Sequence, residues 1–156
     1  MKRQAIRHII ILFVMLIAMT DIGICAQNKT TVEKEKAKVE KIWIDFCKQT
    51  NSQTPIFIDE YTQLNSIVFI NWTLQLNYQV SFEKEIFTAE EIEEIKKEHK
   101  ENGRKMIQNL FGQEEYSGKR KDFRALMKFT GMKVRMNYND VNLKPIYSLN
   151  YTYLDF

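Results

Sequence analysis

Thr73-Leu74-Gln75-Leu76-Asn77-Tyr78-Gln79-Val80-Ser81-Phe82 is the stretch that decides the fold. Leu74, Leu76, Tyr78, Val80 and Phe82 alternate without a fault against Thr73, Gln75, Asn77, Gln79 and Ser81. Successive side chains of a strand point to opposite faces, so this pattern predicts a strand buried on one side and wet on the other. Just before it, Leu64 to Ile70 reads as a second strand and Asn71-Trp72 as the tight turn of a hairpin. Asn51 to Pro55 breaks the chain upstream, and Pro55-Ile56-Phe57-Ile58 is a short extended piece leading to Asp59 and Glu60.

Helical periods flank the hairpin. A first helix is expected from Thr30 to about Thr50, with Val32, Val39, Ile42, Trp43, Phe46 and Cys47 on one stripe and mixed charges elsewhere. Thr88, with Glu91 three residues on, signs the start of a second helix that runs to about Phe111, its packed face carrying Ile92, Ile95, His99, Met106 and Leu110. A loop with Gly118, a shorter helix bearing Phe123, Leu126 and Met127, and a stop at Gly131 follow. Met132, Val134, Met136 and Tyr138 then alternate with polar residues, and after a turn at Asn139 to Asn142 a last strand carries Tyr147, Leu149, Tyr151 and Tyr153. The expected fold class is α+β, in helix, hairpin, helix, helix, hairpin order. Its simplest form is a four-stranded antiparallel sheet with helices on one face and the Gln, Asn, Thr and Lys face open.

The N-terminus places this domain. Lys2, Arg3 and Arg7 precede an apolar run from Ile9 to Met19, which as a helix reaches about 16 Å at ~1.5 Å per residue. A bilayer core is about 30 Å thick, so the run is too short to span it. Asp21 interrupts the run, and Gly23, Cys25 and Ala26 are small residues fit for cleavage. Residues 1–26 therefore read as a cleavable bacterial-type signal peptide and residues 27–156 as a single α+β domain, secreted to the periplasm or beyond the cell. Retention as an anchor and lipidation at Cys25 are the alternatives, and the membrane enters only through them.

Cleavage also narrows the chemistry. It takes Lys2, Arg3, Arg7 and Asp21, so 23 basic and 20 acidic residues become 20 and 19. Net charge then gives no case for nucleic acid as a partner. Cys25 and His8 leave too, so Cys47 and His99 stand alone in the mature chain and no internal disulfide can form.

Asn51-x-x-x-Pro55-x-x-x-Asp59-Glu60-x-Thr62-x-Leu64, then Leu76-x-Tyr78, Arg124-x-Leu126, Gly131 and Tyr138-x-Asp140, resembles a pattern of small exported bacterial proteins of unassigned function. The resemblance covers about Phe46 to Phe156. It implies the domain assignment and no activity. The chain departs from the pattern in lacking cysteines after the second helix and at its end, so the disulfide implied for such relatives is missing.

The inventory of reactive groups is thin. Cys47 with His99 is the one conceivable nucleophile pair, yet Cys47 fits the apolar stripe of its helix. One histidine and one cysteine make no transition-metal cluster, so no metal or cofactor is expected. Asp59 and Glu60, as neighbours in extended chain, point apart and cannot face each other as an acid and base pair; Asp59 is better suited to capping a loop. Lys119, Arg120, Lys121 and Arg124, with Arg104 and Lys105 upstream, form a basic cluster diluted by Glu114, Glu115 and Asp122, the pattern of a solvated helix end.

Two readings follow. The first is a non-enzymatic envelope module that binds a protein, peptide or glycan through the polar sheet face, with Trp72, Gln75, Asn77, Gln79, Tyr147, Tyr151 and Tyr153 as the binding candidates. The alternative is a small exported hydrolase using Cys47 and His99.

Overall fold

The Thr73 stretch lies at the centre of the sheet. The computed structural model describes residues 29–112 and 117–156, and the expected signal peptide, with Cys25, lies outside the described residues. In chain order the elements are α1 (Lys29–Asn51), β1 (Ile56–Phe57), β2 (Thr62–Ile70), β3 (Thr73–Val80), a 3-10 turn (Lys84–Ile86), α2 (Ala89–Gly112), α3 (Ser117–Thr130), β4 (Lys133–Asn139), β5 (Pro145–Tyr151) and a 3-10 turn (Tyr153–Asp155).

The fold is mixed α+β with one sheet, which corrects the expected sheet in two ways. It has five strands in the order β1-β2-β3-β4-β5, and β3 and β4 run parallel. The fifth strand is β1, where Ile56 pairs with Leu64 and Phe57 with Gln63; two residues are too few to show a period. The parallel pair follows from the connection. Helices α2 and α3 fill the crossover between β3 and β4, and a crossover that returns to the starting end of a sheet delivers its second strand parallel to the first. The register sets Leu74 beside Val134, Leu76 beside Met136 and Tyr78 beside Tyr138, so apolar residues fall on one face in both strands. Both hairpins, β2–β3 and β4–β5, are antiparallel.

An irregularity at Leu64/Ser66 gives β2 its faces. Leu64 opposes Tyr78 and Ser66 opposes Asn77, leaving Asn65 as the extra residue. Leu64, Ile67 and Phe69 thereby point to the core, while Val68 and Ile70 stand exposed on the other face.

The covered face holds the core. Helix α1 packs on β2 and α2 on β5, and α3 packs against α2. Val39, Trp43, Phe46 and Cys47 from α1, Ile107 from α2, and Phe123 and Met127 from α3 bury against Ile67, Leu74, Val134, Met136, Leu149 and Tyr151. Thr88 and Glu91 form the expected cap on α2: Glu91 N donates to Thr88 Oγ1 at 3.2 Å and Thr88 N to Glu91 Oε2 at 2.8 Å. Gly131 adopts φ +75° and donates its N–H to Met127 O at 2.9 Å, which ends α3.

Three local expectations change. Gly118 lies inside α3, not in a loop. Met106 is 40% exposed, and the packed line of α2 passes instead through Gly103 and Ile107. Tyr153 belongs to the final 3-10 turn, capped by Thr152 and Asp155, not to the last strand.

Candidate functional site

The uncovered sheet face is built by register. Ser66, Asn77, Asn137 and Ser148 fall on one line across β2, β3, β4 and β5. Asn77 Nδ2 donates to Ser66 Oγ at 3.0 Å, Asn137 Nδ2 to Asn77 Oδ1 at 2.8 Å, and Ser148 Oγ to Asn137 Oδ1 at 2.8 Å. The next rung holds Val68, Gln75, Arg135 and Asn150, with Arg135 Nε donating to Asn150 Oδ1 at 2.9 Å. A third rung, toward the other end, has Gln63 Nε2 and Asn65 Nδ2 donating to Gln79 Oε1 at 2.8 and 2.9 Å, while Gln79 Nε2 donates to Val141 O at 2.8 Å. Short amides linked this way lose few rotamers on meeting a ligand, because the sheet already orders them.

Of the seven binding candidates, Gln75, Asn77 and Gln79 lie together on this face. The others lie elsewhere, because aromatic side chains at alternate positions follow the apolar register. Tyr151 is 0% exposed in the core, its hydroxyl donating to Lys100 O at 3.0 Å. Tyr147 is under α2, and Tyr153 packs against the core from the final turn. Trp72 ends the β2–β3 turn at φ 56°, its ring edge-on to Phe69, which stacks on Trp43.

Beneath α2 is an aromatic cluster. Tyr78 stacks on Tyr138 with centroids 5.0 Å apart, Tyr138 meets Tyr147 at 4.9 Å, and His99 lies 5.1 Å from Tyr138. Burial raises the Tyr147 pKa, so the phenol keeps its proton. Burial lowers the His99 pKa, with Glu98 and Asp59 offsetting part of the effect. A protonated phenol beside a neutral imidazole donates, so Tyr147 Oη gives its hydrogen bond to His99 Nδ1, at 2.5 Å. Burial, aided by the charge of Asp59, pushes Tyr138 up to about 12.

His99 is thus engaged on the β5 side of the molecule, whereas Cys47 belongs to α1 over β2. Burial pushes the Cys47 thiol up to about 11, the reverse of what an activated nucleophile needs. Among the described residues no group of three or more His, Cys, Asp or Glu could hold a metal ion, and no helix is long and apolar enough to cross a membrane. Arg104 and Lys105 both reach Glu101, at 3.7 and 3.8 Å. Asp59 Oδ1 accepts from Tyr61 N at 2.8 Å, a loop cap.

Sequence reasoning missed several members of the face. Asn137 and Ser148 sit on strands whose polar partners depend on pairing across the crossover. Phe57 and Tyr61, 63% and 57% exposed, flank Gln63 at the β1 corner and have no sequence period to announce them. Asp140 is fully buried and organises the β4–β5 turn, accepting from Asn142 N and Lys144 N at 2.8 Å and Lys84 N at 3.4 Å. Burial alone would raise its pKa, but these donors and Lys144 hold it below the usual carboxylate value.

Fold and face together define a mixed α+β protein with one helix-covered and one open, amide-rich sheet face. The chain belongs to the family of a domain of unknown function, DUF8479, whose model matches residues 38–130. No curated protein matches it in sequence. Its fold is similar to that of a Pseudomonas aeruginosa protein thought to be secreted, at 12% identity over 83% of this chain and 98% of that one, with a TM-score of 0.50. The pilotin of the Vibrio vulnificus type 2 secretion system matches at 8% identity over 79% of this chain and 96% of that one, with a TM-score of 0.47. At 12% identity the likeness to the P. aeruginosa protein is one of fold.

Proposed function

We propose that the protein is an exported, non-enzymatic binding module of the cell envelope that recognises a protein, peptide or glycan through its open sheet face. The observation that carries this reading is the cross-sheet ladder from Ser66 through Asn77 and Asn137 to Ser148, ordered side chains on a face that no described helix packs against. The burial of Cys47 and the engagement of His99 Nδ1 by Tyr147 argue against the hydrolase reading. Export, with cleavage after Ala26 and residence in the periplasm or outside the cell, rests on the tripartite pattern of residues 1–26. The P. aeruginosa protein of similar fold is itself thought to be secreted. Of the sequence candidates, Gln75, Asn77 and Gln79 remain in the proposed surface; Trp72, Tyr147, Tyr151 and Tyr153 support it from behind.

The test is photo-crosslinking in intact cells with a photoreactive residue replacing Gln75. A covalent adduct that is absent when the same residue replaces Lys38 on the outer side of α1 is the expected result. Recovery of monomer alone, where control envelope proteins capture their partners, would overturn the proposal.

A further inference from the structure

At the corner of the open face where β1 meets β2, Phe57 and Tyr61 stand 63% and 57% exposed. They flank a cleft of about 180 Å³ that Glu60, Gln63, Gln79 and Val141 also line. We propose that this cleft binds one ring of a neutral carbohydrate; the inference rests on reading the open face as a recognition surface and names the ligand class for one part of it.

The polar half of the argument is the state of the amides. Gln79 is locked: its Oε1 accepts from Gln63 Nε2 and Asn65 Nδ2, and its Nε2 donates to the Val141 carbonyl. Gln63, on the cleft wall, and Asn65, beyond it on the same face, each spend one N–H on Gln79. Among the described residues, each keeps a second N–H and a carbonyl oxygen free of any side-chain bond. A side-chain amide presents a donor and an acceptor side by side, and two adjacent hydroxyls of a sugar, each able to give and accept, complement that pair. Because Gln79 already orients both amides, little rotamer entropy is lost on binding.

The apolar half is the pair of rings. A pyranose ring has a C–H face as well as a hydroxyl rim, and an exposed aromatic side chain gains from covering such a face. Neither Phe57 nor Tyr61 belongs to the buried core. Charge selects further. Among the described residues Glu60 is the one acidic side chain on the cleft wall and no basic side chain lines it, so an anionic sugar or phosphate is disfavoured where a neutral ligand is not. The size agrees: the cleft is smaller than the roughly 300 Å³ of a pocket for a drug-sized ligand and accommodates a single ring, with the rest of a chain running out over the face.

The experiment titrates the purified protein with neutral oligosaccharides of glucose, galactose and N-acetylglucosamine, and with an anionic oligogalacturonate. The readout is the NMR signals of the Gln63 and Asn65 side-chain amides. At least one neutral oligosaccharide should shift these signals saturably, the anionic one should leave them in place, and Phe57→Ala and Gln63→Ala should each weaken binding about tenfold at unchanged thermal midpoint. If either variant melts early, Tyr61→Ala takes its place. Silence of both amides toward every neutral sugar at tens of millimolar overturns the inference, as does capture of a polypeptide by a photoreactive residue at position 57. Capture at position 75 with a silent cleft overturns the carbohydrate site and leaves the open face as a recognition surface; failure of both overturns both.

Discussion

Asn51, the last residue of α1, completes a sheet edge that β1 is too short to cover. β1 pairs only with Gln63 and Leu64, and further along β2 the backbone of Ile67, a residue 2% exposed, meets the Asn51 side chain instead. Asn51 Nδ2 donates to Ile67 O and Ile67 N donates to Asn51 Oδ1, both at 2.8 Å. Asn51→Ala should therefore cost about 1–2 kcal/mol, because two part-buried backbone groups lose their partner at once. Asn51→Asp should not rescue it, since a carboxylate would face the Ile67 carbonyl; a denaturation midpoint equal to wild type in either variant would show the clamp to be dispensable. His99 gives the second prediction at this scale. Its folded pKa lies below the ordinary value of 6.5, so the unfolded chain binds more protons as pH falls. The stability conferred by neutral His99 is complete above about pH 6.5 and is lost as pH falls through the folded pKa. Around the ring, Tyr138 and Tyr147 of the sheet and the carboxylates of Glu98 and Asp59 are the groups that set this balance. Urea midpoints between pH 7.5 and 4.5 should fall in wild type, and the His99→Gln variant should show a flatter profile.

Helix α2 reaches the sheet because Gly103 has no side chain. A Cβ at that position would lie 2.3 Å from Tyr151 Oη and 3.3 Å from Met136 Sδ. Tyr151 cannot withdraw, being fully buried with its hydroxyl on the Lys100 carbonyl. Alanine normally improves a helix interior by about 1 kcal/mol over glycine, but overpacking a filled core costs roughly 1–3 kcal/mol. Gly103→Ala should thus lower the thermal midpoint, and pairing it with Tyr151→Phe, which removes the clashing oxygen, should recover part of the loss. A midpoint raised by the single substitution would mean that α2 stands further from the sheet. The same contact explains why the packed line of α2 runs through Gly103 and Ile107 while Met106 stays exposed: helical period alone favours the larger side chain, and close approach favours the absent one.

At the scale of the whole molecule, Cys47 reports on the union of α1 with the sheet. It is 6% exposed and burial holds its thiol pKa at about 11, so a thiol reagent at pH 8 should label it only as fast as the protein unfolds. Labelling within seconds in the native state would mean that α1 leaves the sheet readily. Much of this architecture is legible in the sequence. The alternation from Leu74 to Val80 and from Val134 to Tyr138, the Thr88 and Glu91 cap, and the stop at Gly131 are local signals, because strand alternation, caps and left-handed turns act within a few residues. Alternation along a strand likewise decides which side chains share a face, and so Gln75, Asn77 and Gln79 stand together. Which strands would be neighbours was decided only by the tertiary structure. An alternating strand has the same pattern whether its partner runs parallel or antiparallel, so the β3–β4 pairing, and with it the bond from Asn137 to Asn77, depends on the path of α2 and α3. Likewise Tyr147 and Tyr151 suit either a stacking surface or a core, and α2 settles the matter by packing over β5. Local stereochemistry sets the faces; the long-range docking of helices decides which face is left open to water.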